Sequence, residues 1–231
     1  MIANVSALWT VDDVIARMRV IDTELPRRDG VAAFNRVYLE VTERVRDRIG
    51  EGFFRDPALM ARMDVEFARL YLDAYEAGIT PGSQAPPAWA PLFEARRRRG
   101  VDPLQHALAG MNAHINNDLA LAVVTTCTRS RRTPRDVHAD YLKVNEVLAS
   151  VVRPIRQSFL DEHVVRAGAP LSPLADLVSS WSLDRARDYA WVQACTLYQL
   201  RGTRRLAAAY RASLALTVGL VGRQMLVAVP G

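Results

Sequence analysis

PLQHALAGMNAHINNDLALAVVTTCT, residues 103–128, is the stretch on which the fold reading turns. It reads as one long helix, about Pro103 to Thr128, closed by the polar, basic turn Arg129 to Pro134. On a helical wheel, Met111, Ile115 and Ala122 share one apolar stripe. His114 and Asp118 fall in that same stripe, one turn apart and pointing the same way. A core helix with an imidazole and a carboxylate on its buried face needs an explanation.

The flanking sequence breaks into helices of the same kind. Thr10 with Asp12 and Asp13 reads as a capped helix start, and that helix stops at Pro26. From about Asp29 to Ile49, Val31, Phe34, Val37, Tyr38, Val41 and Val45 recur at helical spacing before Gly50. Asp56-Pro57 opens a third helix, with Leu59, Met63, Phe67, Leu70 and Ala74 as its inner stripe. Gly78 to Pro87 is an irregular loop, and Trp89 to Arg99 a short helix ending in four arginines. Arg96 to Arg99 could grip a phosphate or carboxylate, but at a helix C-terminus beside Gly100 they more simply suit the negative end of the helix dipole.

A further helix spans about Arg135 to Glu162, with a kink expected at Pro154. The Gly/Pro/Ser-rich link Gly168 to Pro173 precedes two or three closing helices through Val229. No window alternates with period two. The expectation is an all-α, single-domain bundle of about seven to nine helices over residues 1–231, with a sub-boundary near 168–173. Some 60 residues beyond that link would make a small domain alone, so one core is favoured.

Composition narrows the function classes. Ala, Leu, Val and Arg dominate, and Lys143 is the sole lysine. A net charge of +5 is dispersed among interleaved acids, as in Glu43-Arg44-Val45-Arg46-Asp47-Arg48, so no nucleic-acid partner is expected. Cys127 and Cys195 are too few for a disulfide framework and read as small buried hydrophobes. The N-terminus has no signal-peptide pattern, and Ala212 to Gly222, bounded by Arg211 and Arg223, is too short to span a bilayer. A cytoplasmic location follows as the expectation. The apolar run Leu214 to Val229 reads as a central core helix or the contact of a homodimer.

The chemistry is expected around His114 and Asp118. Burying an unpartnered polar group costs on the order of 1–3 kcal/mol, so the pair is either satisfied by other groups or lines a cavity. As a catalytic pair, His114 moves a proton and Asp118 orients the imidazole. As metal ligands, both hold a divalent ion and need partners such as Asp64, Glu66, Asp73 or Asp140, which sit at edges of apolar stripes. Asn112, Asn117, Asp64, Tyr71 and Asp140 complete the candidate pocket. No phosphate-binding glycine loop, nucleophile elbow or His-Glu-x-x-His is present, so no organic cofactor is implied.

Asn112-Ala113-His114-Ile115-Asn116-Asn117-Asp118-Leu119 resembles the signature of a family of helical bacterial proteins catalogued as a domain of unknown function. Four other regions are similar to that family's pattern: Phe34-Asn35-Arg36-Val37-Tyr38 with Val41-Thr42, Met63 to Ala68 with Tyr71, Asp140 with Asn145, and Arg187 with Ala190-Trp191. The resemblance implies one domain and one site holding Asp64, His114, Asp118 and Asp140. The His-x-x-x-Asp spacing is also similar to that of zinc-dependent nucleases and phospholipases C. Here it is followed by Leu119-Ala120-Leu121-Ala122 with no second clustered histidine, so a trinuclear zinc centre is not expected. The reading that results is a small-molecule enzyme for a hydrophobic substrate, acting by hydrolysis, cyclisation or isomerisation in specialised metabolism. The rival is a non-catalytic ligand-binding or interaction module whose His/Asp cluster is structural.

Overall fold

Chain breaks fall where proline and glycine deny the helix its next hydrogen bond, and short side chains cap the starts that follow. The computed structural model describes residues 9–167 and 182–228, with side chains for 9–151 and 182–228. Helix α1 spans Val11–Glu24 and is opened by a capping box in which Thr10 and Asp13 bond each other's backbone. Asp29 caps α2 (Gly30–Gly50), and Asp56 caps α3 (Pro57–Ile79), which has proline in its first turn. The short α4 (Ala90–Ala95) leads to α5 (Pro103–Ala113), a π-helical turn (His114–Asp118) and α6 (Leu119–Arg129). Helix α7 (Pro134–Ala167), α8 (Leu183–Leu200) and α9 (Arg204–Met225) complete the chain.

The architecture is all-helical, with no strand among the described residues. Counted as one rod, α5, the π turn and α6 bring the total to eight helices among the described residues. The sub-boundary at 168–173, the side chains of Pro154, His163 and Trp181, and Val229 lie outside the described residues.

The rod is the axis of the molecule. Its first half packs on α2 and α9, its second half on α3 and α8, and α7 closes over α2. That explains why residues 104–110 are buried all round rather than along one stripe. Close approach demands small residues. A Cβ at Gly110 would stand 2.5 Å from the Phe34 ring, and one at Gly219 would meet the Pro87 carbonyl at 2.3 Å. The main apolar cluster runs from Val14 on α1 to Val218 on α9, so both ends of the chain share it.

Arg96 grips a carboxylate. Its guanidinium pairs with Asp29 at 2.7 Å, and the Gly30 N–H donates to the Arg96 carbonyl at 2.8 Å. The buried carboxylate that caps α2 requires a cation, and Arg96 supplies it. The C-terminal helix is neither wholly core nor wholly surface. Leu214, Val218 and Met225 face inward, whereas Leu206, Leu216 and Leu220 are exposed. No helix among the described residues is long and apolar enough to cross a membrane.

Candidate functional site

The site begins with a fault in the rod. At His114–Asp118 the backbone widens into one π turn, in which the Leu119 N–H reaches back to the His114 carbonyl. The regular helix expected over 103–128 is therefore interrupted at the His/Asp pair. Such turns are frequent at functional sites.

Three N–H donors converge on the Asp118 carboxylate. Trp89 Nε1 donates to Oδ2 at 2.9 Å, Asn117 Nδ2 donates to Oδ1 at 2.8 Å, and His114 Nδ1 lies 3.1 Å from Oδ2. All four side chains are buried, so the donors replace the water a carboxylate would otherwise hold. A carboxylate can only accept, so Nδ1 carries the imidazole proton and Nε2 presents a lone pair. Burial lowers the His114 pKa below the ordinary histidine value, and the Asp118 bond opposes that shift. The ring stacks on Phe67, with centroids 3.6 Å apart and planes within 8°, and stands edge-on to Tyr38 at 4.3 Å. Asp118 fixes the proton, while Phe67 and Tyr38 fix the plane.

Beyond the imidazole lies a hollow. Phe34, Val37, Tyr38, Val41, Met60, Met63, Asp64, Phe67, Met111, His114, Tyr141, Val144 and Arg187 are among its walls. The cavity has a volume of about 80 Å³, several times the roughly 10–15 Å³ that one water requires. Three residues of the wall each carry a buried polar atom with no hydrogen-bond partner among the described residues: His114 Nε2, Asp64 Oδ2 and the Tyr38 hydroxyl. Leaving a buried donor or acceptor unmade costs about 1–3 kcal/mol, so three around one cavity call for a reason beyond packing. Burial alone lifts Asp64 from 3.8 to about 7. Tyr38 is pushed well above the usual phenol range, first by burial and then by the facing Asp64.

The other expected pocket residues separate. Asp64 lines the cavity. Tyr71 lies in the aromatic layer behind it, its hydroxyl donating to Asn35 at 3.0 Å. Asn112 donates to the Val218 carbonyl at 2.9 Å and accepts from Asn116, tying the rod to α9. Asn117 serves Asp118 and is not on the cavity wall.

Asp140 is not on the wall either. It accepts from the backbone N–H groups of Arg55 and Asp56, at 2.8 and 2.9 Å, and pins the loop that enters α3. A stripe-edge carboxylate can face a cavity or a loop, and two unsatisfied loop amides decide the outcome here. Asp140→Ala is expected to lower thermal stability by about 2 kcal/mol while leaving ligand binding in the cavity unchanged, as paired melting and binding measurements would show.

The edge carboxylates advanced as co-ligands do not gather. Glu66 forms an ion pair with Arg129, and Asp73 is exposed. No group of three or more His, Cys, Asp or Glu side chains among the described residues could hold a metal ion. His106, whose Nδ1 is also unpartnered, packs where Gly30 leaves room and is held down to about 4 by burial.

The family model described as a family of unknown function (DUF5995) matches residues 11–228. The chain belongs to that family. No curated protein and no solved structure matches it. The site of this DUF5995 member draws on the stretches that carried the resemblance: Tyr38 on α2, Asp64 and Phe67 on α3, His114 on the rod and Arg187 on α8. Tyr38, Phe67 and Arg187 had not been singled out as pocket residues. Tyr38 and Phe67 read from sequence as ordinary members of apolar stripes, and Arg187 lies 73 positions beyond His114. Their place in the resemblance was the one signal that could have found them.

Proposed function

We propose that the protein is an enzyme that encloses a largely apolar small molecule in this cavity and moves a proton on it. His114 Nε2 is the base, and Asp64 is the acid on the facing helix. The observation that carries the reading is that three residues lining one apolar hollow each hold a buried polar atom without a partner among the described residues: His114 Nε2, Asp64 Oδ2 and the Tyr38 hydroxyl.

The chemistry suits that division of labour. Proton transfer is most efficient when donor and acceptor titrate near the working pH, and burial brings Asp64 to about 7. His114 is kept neutral by burial, with its proton committed to the Asp118 side. Asp118 is a positioning residue. Its oxygens are taken by Trp89, Asn117 and His114, so it does not itself reach the ligand. Hydrolysis, cyclisation and isomerisation all use such a pair, and the apolar walls exclude water from a reactive intermediate.

The test is to incubate the protein with an organic-soluble metabolite extract and follow it by mass spectrometry. Features that decline with the wild type but persist with His114→Gln and with Asp64→Asn are the expected result. Extracts left unchanged by the wild type, or changed equally by all three folded proteins, would overturn the reading.

A further inference from the structure

Arg187 is the residue that the proton-transfer reading leaves unused. It stands on α8, on the cavity wall, 4% exposed. Its Nε donates to Asn145 Oδ1, and Nη2 donates to the Tyr141 carbonyl at 2.6 Å. The guanidinium carbon lies 4.3 Å from the centre of the Tyr141 ring. These contacts hold the planar group in place without neutralising it. No carboxylate among the described residues forms an ion pair with Arg187, whereas the partly buried Arg96 is matched to Asp29. Asp184 and Asp188, its neighbours on the same helix, attract it through space, but both are exposed and neither forms an ion pair with it.

A buried guanidinium without a counter-ion is costly unless something else supplies the charge. Arg cannot relieve that cost by deprotonating. Nη1 has no protein partner among the described residues, and its two hydrogens suit an incoming oxyanion. The rest of the wall offers no rival positive charge. His114 is held neutral, and Asp64 keeps its proton to about pH 7, so neither strongly opposes an anion. The remaining surface is aliphatic, aromatic and thioether, which accepts a hydrocarbon body.

Resting on the proposed small-molecule site, we infer that its ligand is an apolar carboxylate whose carboxylate end pairs with Arg187 while its hydrocarbon body lies toward His114 and Asp64. Anchored so, the ligand presents a carbon of its body, and not its charged end, to the proton-transfer groups.

The test compares octanoate with octan-1-ol by calorimetric titration of the intact protein. Octanoate is expected to bind the wild type at least tenfold more tightly than the alcohol. Arg187→Gln should bring the two affinities together, and Arg187→Lys should retain part of the preference. Equal affinities in the wild type, or a preference that survives in Arg187→Gln, would overturn the anion anchor and leave the apolar pocket standing. Failure of both compounds to bind would overturn the pocket as well. Arg187 also joins α7 to α8, so Arg187→Gln could lose its fold. In that event the wild-type comparison and Arg187→Lys decide the question.

Discussion

Replacing Asp118 with alanine is expected to lower the unfolding free energy by about 3–5 kcal/mol, the range for breaking a buried charged network by removing one partner. The loss exceeds that of an ordinary hydrogen bond because three donors are orphaned together: Trp89 Nε1, Asn117 Nδ2 and His114 Nδ1. Each is buried, so water cannot step in without opening the core. Asp118→Asn should behave differently. The amide oxygen can take the place of Oδ2 and accept from both Trp89 and His114. Its NH₂ then faces Asn117, whose own amide can turn to accept. The expected cost is about 1–2 kcal/mol, with His114 kept in the same tautomer but made less basic by loss of the charge. Chemical unfolding of the three proteins checks the order wild type, asparagine, alanine. Equal stability of the two variants would mean that the carboxylate does not organise this corner of the core.

Asp64 carries an effect of similar size and opposite sense. Its carboxyl titrates near 7 in the folded chain and near 3.8 when unfolded. Between those values the native state holds a proton that the unfolded state has released, so stability falls as pH rises through the window. At 1.36 kcal/mol per unit, the full penalty is on the order of 4 kcal/mol above pH 7. Asparagine has nearly the same shape and never ionises. Asp64→Asn should therefore be close to the wild type in stability near pH 4 and gain on it steadily up to about pH 7. Denaturation midpoints of both proteins across that range give the slope directly. A gap that does not change with pH would show that Asp64 is solvated, and the acid assigned to the cavity would be lost.

The legible parts of the sequence were those that local chemistry decides. Thr10, Asp29 and Asp56 announce helix starts because a short side-chain oxygen answers an orphan N–H wherever it occurs, and all three cap helices in the fold. His114 and Asp118 stood out because a polar pair in an apolar stripe contradicts its own surroundings, and the two do meet. The illegible parts depend on which helices become neighbours. The π turn is one of them, since no propensity within Asn112 to Leu119 announces it. Trp89 reaches Asp118 across 29 positions, and Asp140 meets the Arg55 loop across 85. Tyr71 and Tyr38 sit on similar apolar stripes, yet one hydroxyl found Asn35 and the other has no partner among the described residues.

The most direct measurement is the side-chain nitrogen spectrum of His114, recorded while octan-1-ol is titrated into the protein. The account predicts a neutral ring at pH 7 with hydrogen on Nδ1, an acceptor-type Nε2 and a saturable shift of that Nε2 as the cavity fills. A proton found on Nε2, or a resonance that ignores the ligand up to its solubility limit, would contradict it.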